Sequence, residues 1–260
     1  MDLNPRQSEL IDAVRAQGPL SIEALAERFG VTLQTVRRDV QRLAEAGLLK
    51  RFHGGVRLPG STTENIAYRQ RQAMQSESKR RIARAIAQRI PNGCSLIMNI
   101  GTTIEAVAHE LHSHRDLRVI TNNLHIAALL SQQPDCEVIV AGGLVRGSDQ
   151  GIIGEATVDF IRQFKVDIGL IGISAIEPDG TLRDYDYREV KVSRTIMDHS
   201  REVWLAADHT KFNRPAMVEL GPLQDIDVLF TDQHPPDHFL ELMKQTPLEC
   251  VIAPPLNPND

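Results

Sequence analysis

Residues 21–57, SIEALAERFGVTLQTVRRDVQRLAEAGLLKRFHGGVR, constrain this 260-residue chain more than any other stretch. They read as two helices joined by a tight turn and followed by a short basic hairpin. The Ser21 hydroxyl is suited to accept from an orphan N–H of the first helical turn. Ile22, Leu25, Ala26 and Phe29 follow at helical spacing. Gly30 suits the left-handed residue that closes a helix, and Thr32 suits the cap of the next one. In that second helix Leu33, Val36, Val40 and Leu43 form the apolar stripe, which turns Gln34, Thr35, Arg37, Arg38, Gln41 and Arg42 outward. Residues 48–57 read as two short strands about a Gly54-Gly55 turn.

This is the pattern of a helix-turn-helix with a wing, whose second helix enters the major groove of double-stranded DNA. Arg makes paired hydrogen bonds to guanine and Gln to adenine, while Thr reaches phosphate or a thymine methyl. The expected base-facing residues are therefore Thr32, Gln34, Thr35, Arg37 and Arg38. Lys50, Arg51, His53 and Arg57 are expected on the DNA backbone. Between residues 33 and 57 there are six Lys/Arg against Asp39 and Glu45, a balance of +4 in a chain whose formal charge is −5. A merely solvated basic face would not also bring caps, turn, core stripe and wing into agreement.

Charge divides the chain. Residues 1–60 carry nine Lys/Arg and seven Asp/Glu, so the remaining 200 residues are net acidic by seven. DNA contact accordingly belongs to the N-terminal part. Cys94, Cys136 and Cys250 show no metal-ligand spacing and read as idle thiols of a reducing compartment. With no charged-then-apolar leader and no apolar run near 18 residues, the expectation is a cytoplasmic protein with no membrane partner.

Taken in order, residues 6–17 form a first helix, with Leu10, Ile11 and Val14 as its inner face. The expected domains are a winged helix-turn-helix domain over 1–58, a linker over 59–75, an α/β sensor domain over 76–252 and a disordered tail over 253–260. Residues 66–75 show no usable pattern. The helix over 76–89 buries Ile82, Ala83, Ile86 and Ala87, and its Lys79, Arg80, Arg81 and Arg84 read as a solvated face. Strands are expected at 95–100, 117–120, 137–141, 168–173, 202–207 and 228–231. Helices over 105–111, 124–131 and 190–200 alternate with them, implying a mostly parallel sheet covered by helices.

Strand ends in such a sheet carry ligands. Gly101-Thr102-Thr103 follows the first strand and opens a helix, where N–H groups and hydroxyls suit an anion. Thr121-Asn122-Asn123 follows the second strand, and Gly142-Gly143 with Arg146 the third. Asp208 and Lys211 follow a later one. Together these loops point to a small phosphorylated ligand. No dinucleotide fingerprint, nucleotide-triphosphate loop or metal spacing is present, so no cofactor and no metal are expected.

The runs VTLQTVRRDVQRLAEAGLLKRFHGGV, NIGTT, TNN, AGGLVRG, GIIGEAT and ADHTKF resemble the DeoR family of bacterial sugar-metabolism regulators, across essentially residues 4–252. The resemblance implies a sensor domain with the fold shared by ribose-5-phosphate isomerase A and CoA transferases. It also implies a homo-oligomer, dimer or tetramer, and a repressor released from its operator by glycerol 3-phosphate or a related sugar phosphate. Carried over by motif, the phosphate contacts fall on Gly101, Thr102, Thr103, Thr121, Asn122, Asn123 and Lys211, with Arg146 and Asp208 as further candidates. One departure is Asn99, where the family usually has Asp. The expectation is a non-enzyme. The alternatives are an isomerase-like enzyme using Asp208, Glu155 or Glu189, a regulator responding to another sugar phosphate, and an activator built of the same parts.

Overall fold

The computed structural model describes residues 4–17, 20–46, 48–52, 54–57 and 68–256, in two compact units, Met1–Ser61 and Thr62–Asp260. His53, most of the expected linker and the last four residues lie outside the described residues.

The first unit runs α1 (Pro5–Gln17), β1 (Leu20–Ser21), α2 (Ile22–Phe29), α3 (Leu33–Glu45), β2 (Lys50–Phe52) and β3 (Gly55–Arg57), with strand order β1-β3-β2. Both expected caps form. Ser21 Oγ accepts from Ala24 N at 3.0 Å and Thr32 Oγ1 from Thr35 N at 3.2 Å, while Gly30 is left-handed at φ 61°. Leu10, Val14, Leu25, Val36, Val40 and Leu43 share one core with Val56 of the wing. Asp39, counted above in the local charge, is buried instead. It accepts from Arg6 Nε at 2.7 Å and Gln7 Nε2 at 3.1 Å, fastening α1 to α3.

The two wing glycines have separate jobs. Gly54 holds the turn at φ 79°, whereas Gly55 already belongs to β3. A Cβ on Gly55 would stand 2.7 Å from the Leu20 carbonyl oxygen and 2.4 Å from the Phe52 ring, so only glycine lets the three strands close.

The second unit begins with α4 (Tyr68–Ala73), α5 (Ser76–Arg89), β4 (Ser95–Met98), α6 (Thr102–Glu110), β5 (Leu117–Thr121), α7 (Leu124–Leu130) and β6 (Cys136–Val140). A small hairpin, β7 (Leu144–Val145) and β8 (Ile152–Ile153), leads into α8 (Glu155–Ile161) and β9 (Val166–Gly172). Then come β10 (Ala175–Ile176), β11 (Thr181–Asp184), α9 (Tyr187–Asp198), β12 (Ser200–Ala206), β13 (Val218–Pro222), β14 (Val228–Thr231), α10 (Asp237–Met243) and β15 (Glu249–Ile252).

Seven parallel strands run in the order β15-β14-β12-β9-β4-β5-β6. The chain winds outward in one direction from β4 and in the other from β9, so the order reverses between these neighbours. Alternate residues feed two cores. Leu96, Met98, Val119, Leu170 and Phe230 pack under α5, α6 and α7; Ile97, Ile171, Leu205 and Leu229 pack with residues of α8, α9 and α10.

Three expectations need correction. Residues 68–73, left without structure, form α4. Ala253 of the expected tail is fully buried, because Arg81 donates to the carbonyls of Asp232 (2.9 Å), Ala253 (2.6 Å) and Pro254 (3.0 Å). Lys79 and Arg81 are therefore not a solvated face. Lys79 is only 6 % exposed.

Candidate functional site

On the first unit, α3 presents Gln34, Arg37, Arg38, Gln41 and Arg42 outward while Val36, Val40 and Leu43 anchor it. This surface is basic and built on a rigid helix, which matches the dimensions and donor chemistry of a major groove. Thr32 and Thr35 are engaged with each other as a cap, their hydroxyl oxygens 2.9 Å apart. Lys50 is exposed on β2, and Arg51 donates to Gln41, tying wing to helix.

In the second unit, a cleft opens at the carboxyl ends of β4, β9 and β12, beside the point where strand order reverses, the usual ligand position in such sheets. Gly101, Thr102 and Thr103 line it, as do Asp208 and Lys211. Gly101 takes φ 135°, and no side chain caps α6, so the first N–H groups of this nine-residue helix face the cleft. Those N–H groups and the positive end of the helix favour an anion.

Cations that the sequence reading missed converge on the same place: Arg71 from α4, Lys79 from α5, and Arg214. Arg71 Nε is buried with no hydrogen-bond partner among the described residues, and the guanidinium stands 3.8 Å from Asp149. A buried orphan donor of this kind is matched by an acceptor such as a phosphate oxygen. Burial, reinforced by Lys211 nearby, pushes the Lys79 ammonium down to about 8. Burial likewise lowers Lys211, against the opposing pull of Asp208. Cations held at a desolvation cost gain by pairing with an anion.

The other expected contacts are not brought to the cleft. Thr121, Asn122 and Asn123 are fully buried. Thr121 Oγ1 donates to the Met98 carbonyl at 2.7 Å, and Asn122 Nδ2 to that of Ile152 at 3.1 Å. Asn123 Oδ1 caps α7 by accepting from His125 N at 2.8 Å, while its Nδ2 donates to Glu105 at 2.9 Å. Glu105 in turn accepts from the Tyr68 hydroxyl at 2.7 Å, and the Tyr68 ring stacks on His125. The Asn-Asn motif thus acts one layer back, holding α4 over the cleft. Gly142 and Gly143 pack against α8, where Thr157 Oγ1 donates to the Gly142 carbonyl at 2.9 Å.

Arg146 is likewise drawn elsewhere. It bonds Asp149 (2.9 Å from Nε), Asp186 (3.2 Å) and Glu189, forming a cationic hub among carboxylates. Glu189 is pushed up to about 7, first by burial and then by Asp184, against the pull of Arg146. Asn99 does reach the cleft. Its Nδ2 donates to Ser193 Oγ at 2.8 Å and its Oδ1 accepts from Ile100 N at 2.8 Å, so the neutral amide closes the turn that opens α6.

The helix-turn-helix region matches the DeoR-like helix-turn-helix domain over residues 6–62, and residues 74–233 match the DeoR C-terminal sensor domain. The chain belongs to the DeoR family. It is 47 % identical over 253 residues to the glycerol-3-phosphate regulon repressor of Escherichia coli K12, covering 97 % of this chain and all of that one. A protein of the same name from Haemophilus influenzae is 47 % identical, with 95 % and 96 % covered. The transcriptional repressor CsqR of Escherichia coli K12 is 40 % identical, with 96 % and 95 % covered. Among solved structures, ribose 5-phosphate isomerase A from Neisseria gonorrhoeae aligns with a TM-score of 0.40 at 13 % identity, over 54 % and 55 % of the chains, too loose a likeness to bear on activity. In this DeoR-family chain the sensor match begins at Met74, leaving α4 outside it. Tyr68 and Arg71, three apart in the sequence, are what α4 brings to the cleft.

Proposed function

We propose that this protein is a DNA-binding transcriptional repressor of a carbon-metabolism operon, that of glycerol 3-phosphate. Glycerol 3-phosphate entering the cleft at the head of α6 releases it from its operator. The observation that carries this reading is one chain holding both an outward basic recognition helix and a cleft of converging cations at a helix N-terminus. The choice of ester is supported by the repressor names of relatives at 47 % identity, and the same names favour a sensor over an enzyme.

In this reading Arg37, Arg38, Gln34 and Thr35 meet base edges, with Thr32 opening the helix, while Lys50, Arg51, His53 and Arg57 hold phosphates. The effector phosphate sits on Gly101, Thr102 and Thr103 with Lys211, Lys79 and Arg71, and Asp208 takes a hydroxyl. The protein works in the cytoplasm as a homo-oligomer, which lets two recognition helices meet repeated half-sites. Release requires that the effector bind the DNA-incompetent arrangement better than the competent one.

The test is fluorescence anisotropy on DNA from the region upstream of the operon, with glycerol 3-phosphate or unphosphorylated glycerol added at fixed salt. Release by the ester alone, and no tight binding to scrambled DNA, is the expected result. Failure to prefer the upstream DNA contradicts the repressor reading, and retention in the presence of the ester contradicts the effector.

A further inference from the structure

The carboxylates around the cleft are not equivalent. Asp149 and Asp186 are satisfied by guanidinium groups: Arg146 reaches both, and Arg188 adds a 2.8 Å bond to Asp186. Asp184, at the end of β11, and Asp208, just after β12, are held differently. Asp184 Oδ1 accepts from Tyr185 N at 2.7 Å, and Asp208 Oδ1 accepts from Thr210 N at 3.0 Å. Among the described residues neither has a cation nitrogen within 4.0 Å. Glu189, at the start of α9, is buried and shares Arg146 with Asp149 and Asp186.

An ionised carboxylate accepts hydrogen bonds and donates none. The wall made by β11 and α9 therefore asks a ligand for hydroxyl donors, while the wall made by α6 and the cations asks for an anion. Burial and Asp184 push Glu189 up to about 7 even with Arg146 attached, so further negative charge in this wall is disfavoured. A second anionic group on the ligand would meet Asp184 as a like charge in a partly desolvated space, and would also oppose the ionised form of Glu189.

Resting on the effector reading above, we infer that Asp184 and Glu189 are specificity-determining residues. They make the cleft select a monophosphate whose remaining groups are neutral hydroxyls and reject phosphorylated carboxylic acids of the same length. Arg146 is the positioning residue that fixes Glu189 in this wall. Selection of this kind is built by repulsion of the wrong ligand as much as by contact with the right one.

The experiment is titration calorimetry of the full chain, without DNA, with glycerol 3-phosphate and with 3-phosphoglycerate, which carries a carboxylate where the former has a hydroxymethyl group. The wild-type protein is expected to bind glycerol 3-phosphate more tightly by about 30-fold or more. Asp184→Asn keeps the acceptor for Tyr185 N and removes the charge. It is expected to narrow the ratio about tenfold, chiefly by gaining affinity for 3-phosphoglycerate. Glu189→Gln, which keeps an amide oxygen for Arg146, narrows it in the same direction and serves if the first variant does not fold. Equal wild-type affinity for the two esters, or an unchanged ratio in both variants, overturns the selectivity and leaves the effector reading standing. Binding of neither ester by the wild type removes the effector reading and this inference with it.

Discussion

Lys79 Nζ lies 2.8 Å from the carbonyl oxygen of Met74 and also donates to the carbonyl of Arg71, so α5 grips the end of α4 from within the cleft. One buried ammonium thus both fixes α4 and faces the anion site. Lys79→Met should raise the glycerol 3-phosphate concentration for half-release by about 10- to 100-fold, the usual range for a lost charge-assisted bond. Operator affinity without effector should stay within about twofold. Anisotropy titrations of both proteins decide this, and an unchanged half-release concentration contradicts the role.

The same lysine sets a pH dependence. Its folded-state value near 8 lies below the ordinary 10.5. Effector affinity should therefore fall as pH rises from 7 to 9, because the ammonium is lost while the ester, with a second pKa near 6, stays dianionic. Lys79→Met should flatten that fall. For stability the sign is opposite. The unfolded chain binds this proton more readily, so the group's contribution is full above about 10.5 and lost as pH falls through about 8.

Gly55→Ala should destabilise the winged unit by about 1–3 kcal/mol, since the new methyl meets the Leu20 carbonyl oxygen and the Phe52 ring. The expected readout is a lower melting temperature for the N-terminal transition, with a parallel loss of operator affinity. A melt and affinity matching the wild type would mean that the wing has room the geometry denies.

These glycines show how far the sequence was legible. Caps at Ser21 and Thr32, the αL Gly30 and the α3 stripe from Val36 to Leu43 were readable because each is a local signal, whereas Leu33, expected in that stripe, is exposed. That Gly54 and Gly55 differ was not, because the second is required by Leu20 from another strand. In the sensor unit the parallel strands were readable from buried apolar runs, and Gly101-Thr102-Thr103 from its place after a strand. Strand order was not, so the convergence of Arg71, Lys79 and Arg214 stayed hidden. Asn123 and Arg146 misled for the same reason. Their side chains serve Glu105 and a carboxylate cluster whose members lie up to 43 residues away.

On the DNA side, Arg37→Ala should cost about 1–3 kcal/mol on the preferred operator and relax its choice of base. Lys50→Ala should weaken binding to all sequences alike and lower the salt slope by about one. Competition of operator against random DNA over a range of salt concentrations separates the two. Identical behaviour of the variants contradicts the division of roles between α3 and the wing.

Glycerol 3-phosphate titrated against wild-type and Lys211→Met protein, both bound to labelled operator DNA at one salt concentration, tests the central claim most directly. Lys211 lies in the cleft of the sensor unit, where its charge acts on Lys79. The wild type is expected to leave the DNA, while the variant binds operator with wild-type affinity and stays on it at the releasing concentration. Release of both at the same concentration would place the effector's phosphate elsewhere and contradict the account.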